Sequence, residues 1–240
     1  MAFGGHQVLS NVSIEIRPFT FLSIIGPNGA GKTTFLNLLG GQLKPTGGRI
    51  FFKGNDITWL PVHARARLGL GRCFQITNVF PKLSVLENVR LAAQAKAGVN
   101  FHPFTPASRF RKLEEKAWQA LSEVGLTEKA GSLAATLTHG EKRKLELAIV
   151  LAMESEVLLL DEPTAGISLE ELPAMLELLR RLKEKCDRTI LLVEHKMDVV
   201  LSLSDEILVL YNGCFLARGN PQEIVGDRRV QEAYLGGGMA

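Results

Sequence analysis

Gly26-Pro27-Asn28-Gly29-Ala30-Gly31-Lys32-Thr33-Thr34 fits the spacing G-x-x-x-x-G-K-[ST], with Gly26, Gly31, Lys32 and Thr33 at the fixed positions. A loop of this spacing can wrap a triphosphate. Its glycines let successive backbone N–H groups point inward, Lys32 reaches the outer phosphates, and the Thr33 hydroxyl can hold Mg²⁺. The flanks agree with that reading. Phe21-Leu22-Ser23-Ile24-Ile25 leads in as a buried strand, and Thr33-Thr34-Phe35-Leu36-Asn37-Leu38-Leu39 leads out as a helix. The stretch therefore predicts a nucleotide site at a strand–loop–helix junction.

Outward from the loop, strand-like runs recur at Phe21–Ile25, Val157–Leu160, Thr189–Val193 and Glu206–Leu210, with helical stretches between them. That alternation predicts an α/β fold with a mostly parallel sheet. Two small antiparallel elements are expected beside it. One is Arg49–Phe52 ending at a Gly54-Asn55 turn, and the other is a hairpin turning at Asn212-Gly213. The middle third reads as helix. Ser84–Lys96 is helix-compatible, and in Ala107–Val124 the residues Phe110, Leu113, Ala117, Leu121 and Val124 recur at spacings of three and four. Pro106 behind Thr105 suits the start of that second helix. An α-helical insertion over 82–153 is thus expected within a core formed by 1–81 and 154–240, all in a single domain.

Composition narrows the function classes. A formal net charge of +3, with the charges interleaved, gives no basic arm and argues against a nucleic-acid partner. Three cysteines without C-x-x-C spacing suit a reducing cytosol. No apolar run approaches the ~18 residues of a membrane span, so a membrane role is expected to come through a partner.

Two further segments carry chemistry. Val157-Leu158-Leu159-Leu160-Asp161-Glu162 is an apolar strand ending in two carboxylates. Asp161 can reach the metal shell beside Thr33, and Glu162 is placed to polarise an attacking water. Leu137-Thr138-His139-Gly140-Glu141 precedes a helix expected over Lys142–Met153, and its exposed N–H groups would attract an anion.

These parts, in this order, resemble an ABC-type ATPase over essentially the whole chain. GPNGAGKTT at 26–34 resembles the Walker A loop, LLLDE at 158–162 the Walker B strand and LTHGE at 137–141 the signature motif. Gln75 resembles the Q-loop glutamine and His195 the switch histidine. The resemblance implies a P-loop NTPase core that uses ATP and Mg²⁺, with Thr33, Gln75 and Asp161 at the metal. It implies Lys32, Gln75, Glu162 and His195 in catalysis, and an adenine-stacking role for Phe3. It also implies a head-to-tail dimer in which Thr138, His139, Gly140 and Glu141 of one subunit face the ATP of the other.

Departures from the family pattern shape further expectations. The signature has His139 for a glycine, which a positive φ would tolerate, and Glu141 for an amide, a charge expected to point away from the phosphates. Ser168 replaces the usual Asp of the loop after Walker B. The strand that the family places about ten residues ahead of Phe3 is missing, which predicts an exposed sheet edge and a start at a late methionine.

Phe3-Gly4-Gly5, GRCFQITNVFPKLSVLENVRLAAQ at 71–94, EPTAG at 162–166, VEHKMDVV at 193–200 and VQEAYLG at 230–236 are most similar to branched-chain (hydrophobic) amino-acid importer ATPases. That resemblance implies integral-membrane permease partners, a substrate-binding protein acting indirectly, and a cytoplasmic position on the inner face of the cell membrane. Phe80 is the expected anchor for a permease. Related systems import urea or short amides or extract lipopolysaccharide, so the cargo stays open at this point. A soluble ABC protein and a P-loop small-molecule kinase are the other readings. A single cassette of weak charge argues against the first, and the signature with His195 against the second.

Overall fold

The computed structural model describes residues 1–3, 6–73, 78–98 and 107–235. Two short strands, β1 (Ala2–Phe3) and β2 (His6–Gln7), pair antiparallel and precede β3 (Phe21–Ile25) and α1 (Lys32–Gly40). A small hairpin, β4 (Phe51–Phe52) with β5 (Asn55–Asp56), leads to α2 (Val62–Leu68) and β6 (Leu70–Cys73). Then come three long helices, α3 (Val85–Lys96), α4 (Ala107–Val124) and α5 (His139–Ala152). The chain returns to the sheet through β7 (Val157–Asp161), α6 (Leu172–Glu184), β8 (Thr189–Val193), α7 (Met197–Leu203) and β9 (Glu206–Tyr211). It ends with β10 (Cys214–Gly219), α8 (Pro221–Gly226) and α9 (Arg228–Leu235).

The main sheet runs β10-β9-β3-β8-β7-β6, parallel except for the antiparallel β9–β10 pair. Its central strands read as unbroken apolar runs because both faces are covered. Leu158 and Leu160 of β7 pack with the α5 and α6 side, whereas Leu159 packs with α1 through Phe35 and Leu36. Ile190 and Leu192 of β8 repeat the first pattern, and Leu191 and Val193 the second. Parallel strands put all their C-terminal ends on one edge, where α/β sheets bind ligands. The loops after β3, β7 and β8 therefore open on the same side, and they carry Lys32, Glu162 and His195.

Helices α3, α4 and α5 pack on one another, with Val89, Leu113, Ala117, Leu121, Val124 and Leu145 buried between them. The expected apolar stripe of α4 is thus the buried one; the side chain of Phe110 lies outside the described residues, as does the Thr105–Pro106 helix start.

Three local expectations need correction. The first hairpin turns at Lys53-Gly54, with φ of 50° and 77°, and Asn55 is already in β5. Two adjacent left-handed residues give the turn its sense of twist, and one of them need not be glycine. Helix α5 begins at His139 rather than Lys142 because Thr138 caps it there. His139 is accordingly helical and has no positive φ. The Asn212-Gly213 hairpin is formed as expected, with φ of 46° and 76°. Cys73 is buried, and Cys186 and Cys214 are exposed free thiols.

Candidate functional site

The loop between β3 and α1 is built by backbone that only glycine accommodates. Gly26 has φ 153°, and a Cβ there would stand 2.0 Å from the Leu210 carbonyl oxygen, so the loop is pressed against β9. Gly31, at φ 102°, turns the chain into α1 without a side-chain cap, leaving the first N–H groups of the helix as anion donors. The Lys32 Nζ donates to the carbonyls of Gly26 (2.8 Å) and Pro27 (2.9 Å), and Ala30 is buried beneath. Burial lowers the Lys32 pKa, while Glu162 and Asp161 pull it back up. A cleft of ≈ 390 Å³ opens over this loop, lined by Val8, Asn28, Gly29, Gly31, Lys32, Thr33, Thr34, Glu162 and His195. That volume lies within the range of small-molecule sites.

Asp161 ends β7 and is buried. Burial raises its pKa, and the Arg72 guanidinium, 3.2 Å away, opposes that rise. Arg72 also donates to the Gln42 side chain at 2.9 Å, joining the end of the α1 segment to β6 and β7. The Asp161 Oδ1 is buried without a hydrogen-bond partner, which fits a carboxylate meant for a cation. Among the described residues, no group of three His, Cys, Asp or Glu could hold a metal. Thr33 and Asp161 would hold Mg²⁺ together with phosphate oxygens and other oxygen ligands.

The next residue, Glu162, has φ 49°, and its N–H donates to the Val193 carbonyl at 2.9 Å. This left-handed step aims the side chain back over the cleft, where Oε1 lies 2.9 Å from the His195 Nε2. A strained φ in a bulky residue is kept only where neighbours fix it.

A second polar turn, at the start of α5, does not line the cleft. The Thr138 hydroxyl accepts from the Glu141 N–H at 3.1 Å, and Glu141 folds back to accept from the Thr138 N–H at 3.0 Å, a closed capping box. Glu141 also pairs with Lys129 at 3.3 Å, so its charge is directed into its own helix end. The Thr138 hydroxyl then donates to Glu171 Oε1 at 2.5 Å. Hydrogen bonds from Thr138, Ser168 and the Gly140 N–H hold the Glu171 carboxyl below its ordinary pKa. A Cβ on Gly140 would stand 2.9 Å from that carboxyl group, so the glycine admits it. His139 Nε2 lies 3.2 Å from the Ala165 carbonyl oxygen, against the loop that follows β7.

The structure thus gathers the phosphate loop with Asp161, Glu162 and His195, and it leaves Thr138–Glu141 apart from them. Gln75 lies outside the described residues. Phe3 is placed by its backbone in β1, and its ring lies outside the described side chains. Sequence reasoning missed Arg72, Glu171 and Glu194. Each is a charged residue whose partner lies far along the chain, and the only signal was a charge inside or next to an apolar strand or helix.

Residues 9–165 match the family described as ABC transporter, and residues 216–240 match that described as branched-chain amino acid ATP-binding cassette transporter. The chain belongs to the ABC transporter ATP-binding family. LivG of Salmonella typhimurium, a high-affinity branched-chain amino acid transport ATP-binding protein, is 40% identical over 98% of this chain and 94% of its own. Among solved structures, the ADP conformation of an ATP-binding cassette superimposes with a TM-score of 0.82 at 28% identity, covering 98% of this chain and 95% of that one. A dimeric cassette in a post-hydrolysis state with ADP and Pi gives 0.75 at 26% identity, covering 89% and 90%. This ABC cassette is a P-loop α/β ATPase that binds nucleotide and belongs to a transport system.

Proposed function

We propose that the chain powers uptake of branched-chain or other hydrophobic amino acids. It would sit on the cytoplasmic face of the cell membrane, under integral-membrane permease subunits that a substrate-binding protein supplies. The match at 216–240 and the kinship with transport ATP-binding proteins support this reading. No described helix is long and apolar enough to cross a membrane, so the permeases would supply the crossing.

Two copies, or this chain and a homologue, sandwich two ATP molecules head to tail. Lys32 and the N–H groups of 26–34 hold the phosphates, Thr33, Asp161 and Gln75 hold Mg²⁺, and Phe3 stacks on adenine. When bound, Mg²⁺ neutralises charge on the β- and γ-phosphate oxygens. Glu162 accepts a proton from the attacking water as the water oxygen bonds to the γ-phosphorus and the bond from that phosphorus to the β,γ-bridging oxygen breaks, releasing ADP and phosphate; His195 orients Glu162 and the water. Thr138 and the Gly140 N–H of the partner subunit close on the γ-phosphate, in a turn shaped by His139 and Glu141. A hydrogen bond to a charged group contributes about 1.5–3 kcal/mol net. Two or three at each of two sites exceed the ~5.5 kcal/mol that swings a two-state equilibrium from 1:99 to 99:1. Loss of the γ-phosphate therefore opens the dimer.

The observation that carries the sandwich is Glu171. Its carboxyl group already sits on the Thr138 hydroxyl and the Gly140 N–H, outside the cleft of its own chain. That turn holds an anion, and a γ-phosphate from a second subunit would take the same donors. Residues 82–153 act as the helical subdomain that carries this turn, and the remainder acts as the core with its β elements. The Glu146 carboxyl group, paired with Arg143 at 3.1 Å, accepts from the Asn78 N–H at 2.9 Å and so ties α5 to the segment following Gln75. Glu162→Gln tests the whole arrangement. The variant should bind ATP, lose hydrolysis at least about 100-fold, and elute as a dimer with ATP but not with ADP. A monomer saturated with ATP would overturn the sandwich.

A further inference from the structure

Glu194 stands immediately after β8 and is buried, beside exposed His195. Its Oε1 accepts from the Thr164 N–H at 3.2 Å and from the Thr164 hydroxyl. Its Oε2 accepts from the His195 N–H at 3.0 Å and from the Lys196 N–H at 3.4 Å. Four donors engage the two oxygens, matching the acceptor capacity of a carboxyl group. Glu194 does not line the cleft.

Thr164 and His195 belong to different loops. Thr164 lies two residues beyond Glu162, in the loop after β7, and His195 is the second residue of the loop after β8. One buried side chain therefore bolts the two loops together from below. Above the bolt, Glu162 Oε1 and His195 Nε2 lie 2.9 Å apart. At its left-handed φ, Glu162 donates its N–H to the Val193 carbonyl (2.9 Å) and accepts at its own carbonyl from the Ala165 N–H (3.0 Å). The register of β7 against β8 sets Asp161 opposite Val193, but sheet pairing ends there. Beyond the Glu162 N–H bond to Val193, the Glu194–Thr164 and Glu162–His195 side-chain contacts join the two loops.

We propose that Glu194 is a positioning residue for ATP hydrolysis, fixing the distance between Glu162 and His195 without touching the nucleotide. The proposal rests on the roles assigned above to those two residues. Glutamine has the shape of glutamate, yet it offers a single acceptor oxygen and turns an NH₂ group toward two of the four donors. Misplacement of a catalytic group by about 1 Å can cost about 100-fold in rate.

The test uses the full chain with Glu194→Gln, Thr164→Val and the double variant. Glu194→Gln should lower kcat at least about tenfold while ATP affinity stays within about twofold, because the phosphate loop is untouched. Thr164→Val should lower kcat in the same sense, and the double variant should lose less than the product of the single losses. The ¹⁵N signal of the His195 imidazole should move toward its position in Glu162→Ala, a change that general destabilisation would not produce. An unchanged kcat in Glu194→Gln, multiplicative losses, or an unmoved His195 signal would each overturn the proposal. If Glu194→Gln fails to fold, Thr164→Val and its His195 signal decide alone. Glu162→Gln run alongside separates the two levels. Retained hydrolysis there defeats the role of Glu162, whereas lost hydrolysis with an active Glu194→Gln defeats only the bolt.

Discussion

Lys32 has its ammonium on two carbonyl oxygens of its own loop and is buried near two acidic residues, Asp161 and Glu162. Burial lowers its pKa from the ordinary 10.5. The unfolded chain therefore holds this proton to higher pH, and the stability of the nucleotide-free protein should rise with pH between the folded value and 10.5. A triphosphate favours the charged amine. ATP affinity should accordingly weaken on the alkaline side from a lower pH than an ordinary lysine would dictate, and Lys32→Met should remove that dependence in titrations across pH. Glu171 gives a second expectation at this scale. Its carboxyl group competes for the donors that the γ-phosphate of a partner would use. Glu171→Ala in the Glu162→Gln background should lower the ATP concentration for half-maximal dimer formation by about tenfold, the equivalent of one charged hydrogen bond. Sedimentation at graded ATP reads this directly, and an unchanged midpoint would show that the carboxyl group offers no competition. The Walker-like residues were legible because their spacing is local. Glu171 and Glu194 were not, since Thr138 and Thr164 lie 33 and 30 residues away from them.

Helix α5 packs against α3 and α4 and also against β6 and α6. Its first turn presents Thr138–Glu141, its middle carries the buried Arg143–Glu146 pair, and Leu145 and Leu147 are fully enclosed. Leu145→Ala should cost about 2–5 kcal/mol, depending on how far α3 and α4 relax into the space. Urea melts monitored by circular dichroism would measure it; a loss below about 0.5 kcal/mol would contradict the packing described. At this scale the sequence spoke unevenly. The periodicity of α4 and the Asn212-Gly213 hairpin were readable, because both are carried by spacing within one segment. Strand β6 was not readable, since Leu70-Gly71-Arg72-Cys73 is short and interrupted by a charge. Its identity depends on pairing with β7 and on the Asp161 carboxyl group that meets Arg72.

Across the whole molecule, the Thr138–Glu141 turn does not line the nucleotide cleft, which suits the proposed two-chain sandwich. A permease contact is expected near Phe80. Buried Asn88 accepts from the Phe80 N–H at 2.7 Å and donates to its carbonyl at 3.1 Å, so the backbone is clamped while the ring is 61% exposed. Phe80→Ala should leave the ATP affinity of the isolated chain within about twofold and reduce copurification with permeases, as expected for an aromatic anchor. Unchanged assembly and transport would remove Phe80 from that contact.

The sequence by itself determined the phosphate loop, the acidic strand end, the order of the motifs and so the family, because each is a short-range pattern whose chemistry follows from neighbouring residues. Only the tertiary structure decided that Glu162 and His195 meet at 2.9 Å, that Arg72 faces Asp161, and that Glu171 occupies the turn at Thr138. Parallel strands bring distant loops to one edge of the sheet, and which side chains then touch depends on register and burial. No spacing along the chain encodes that.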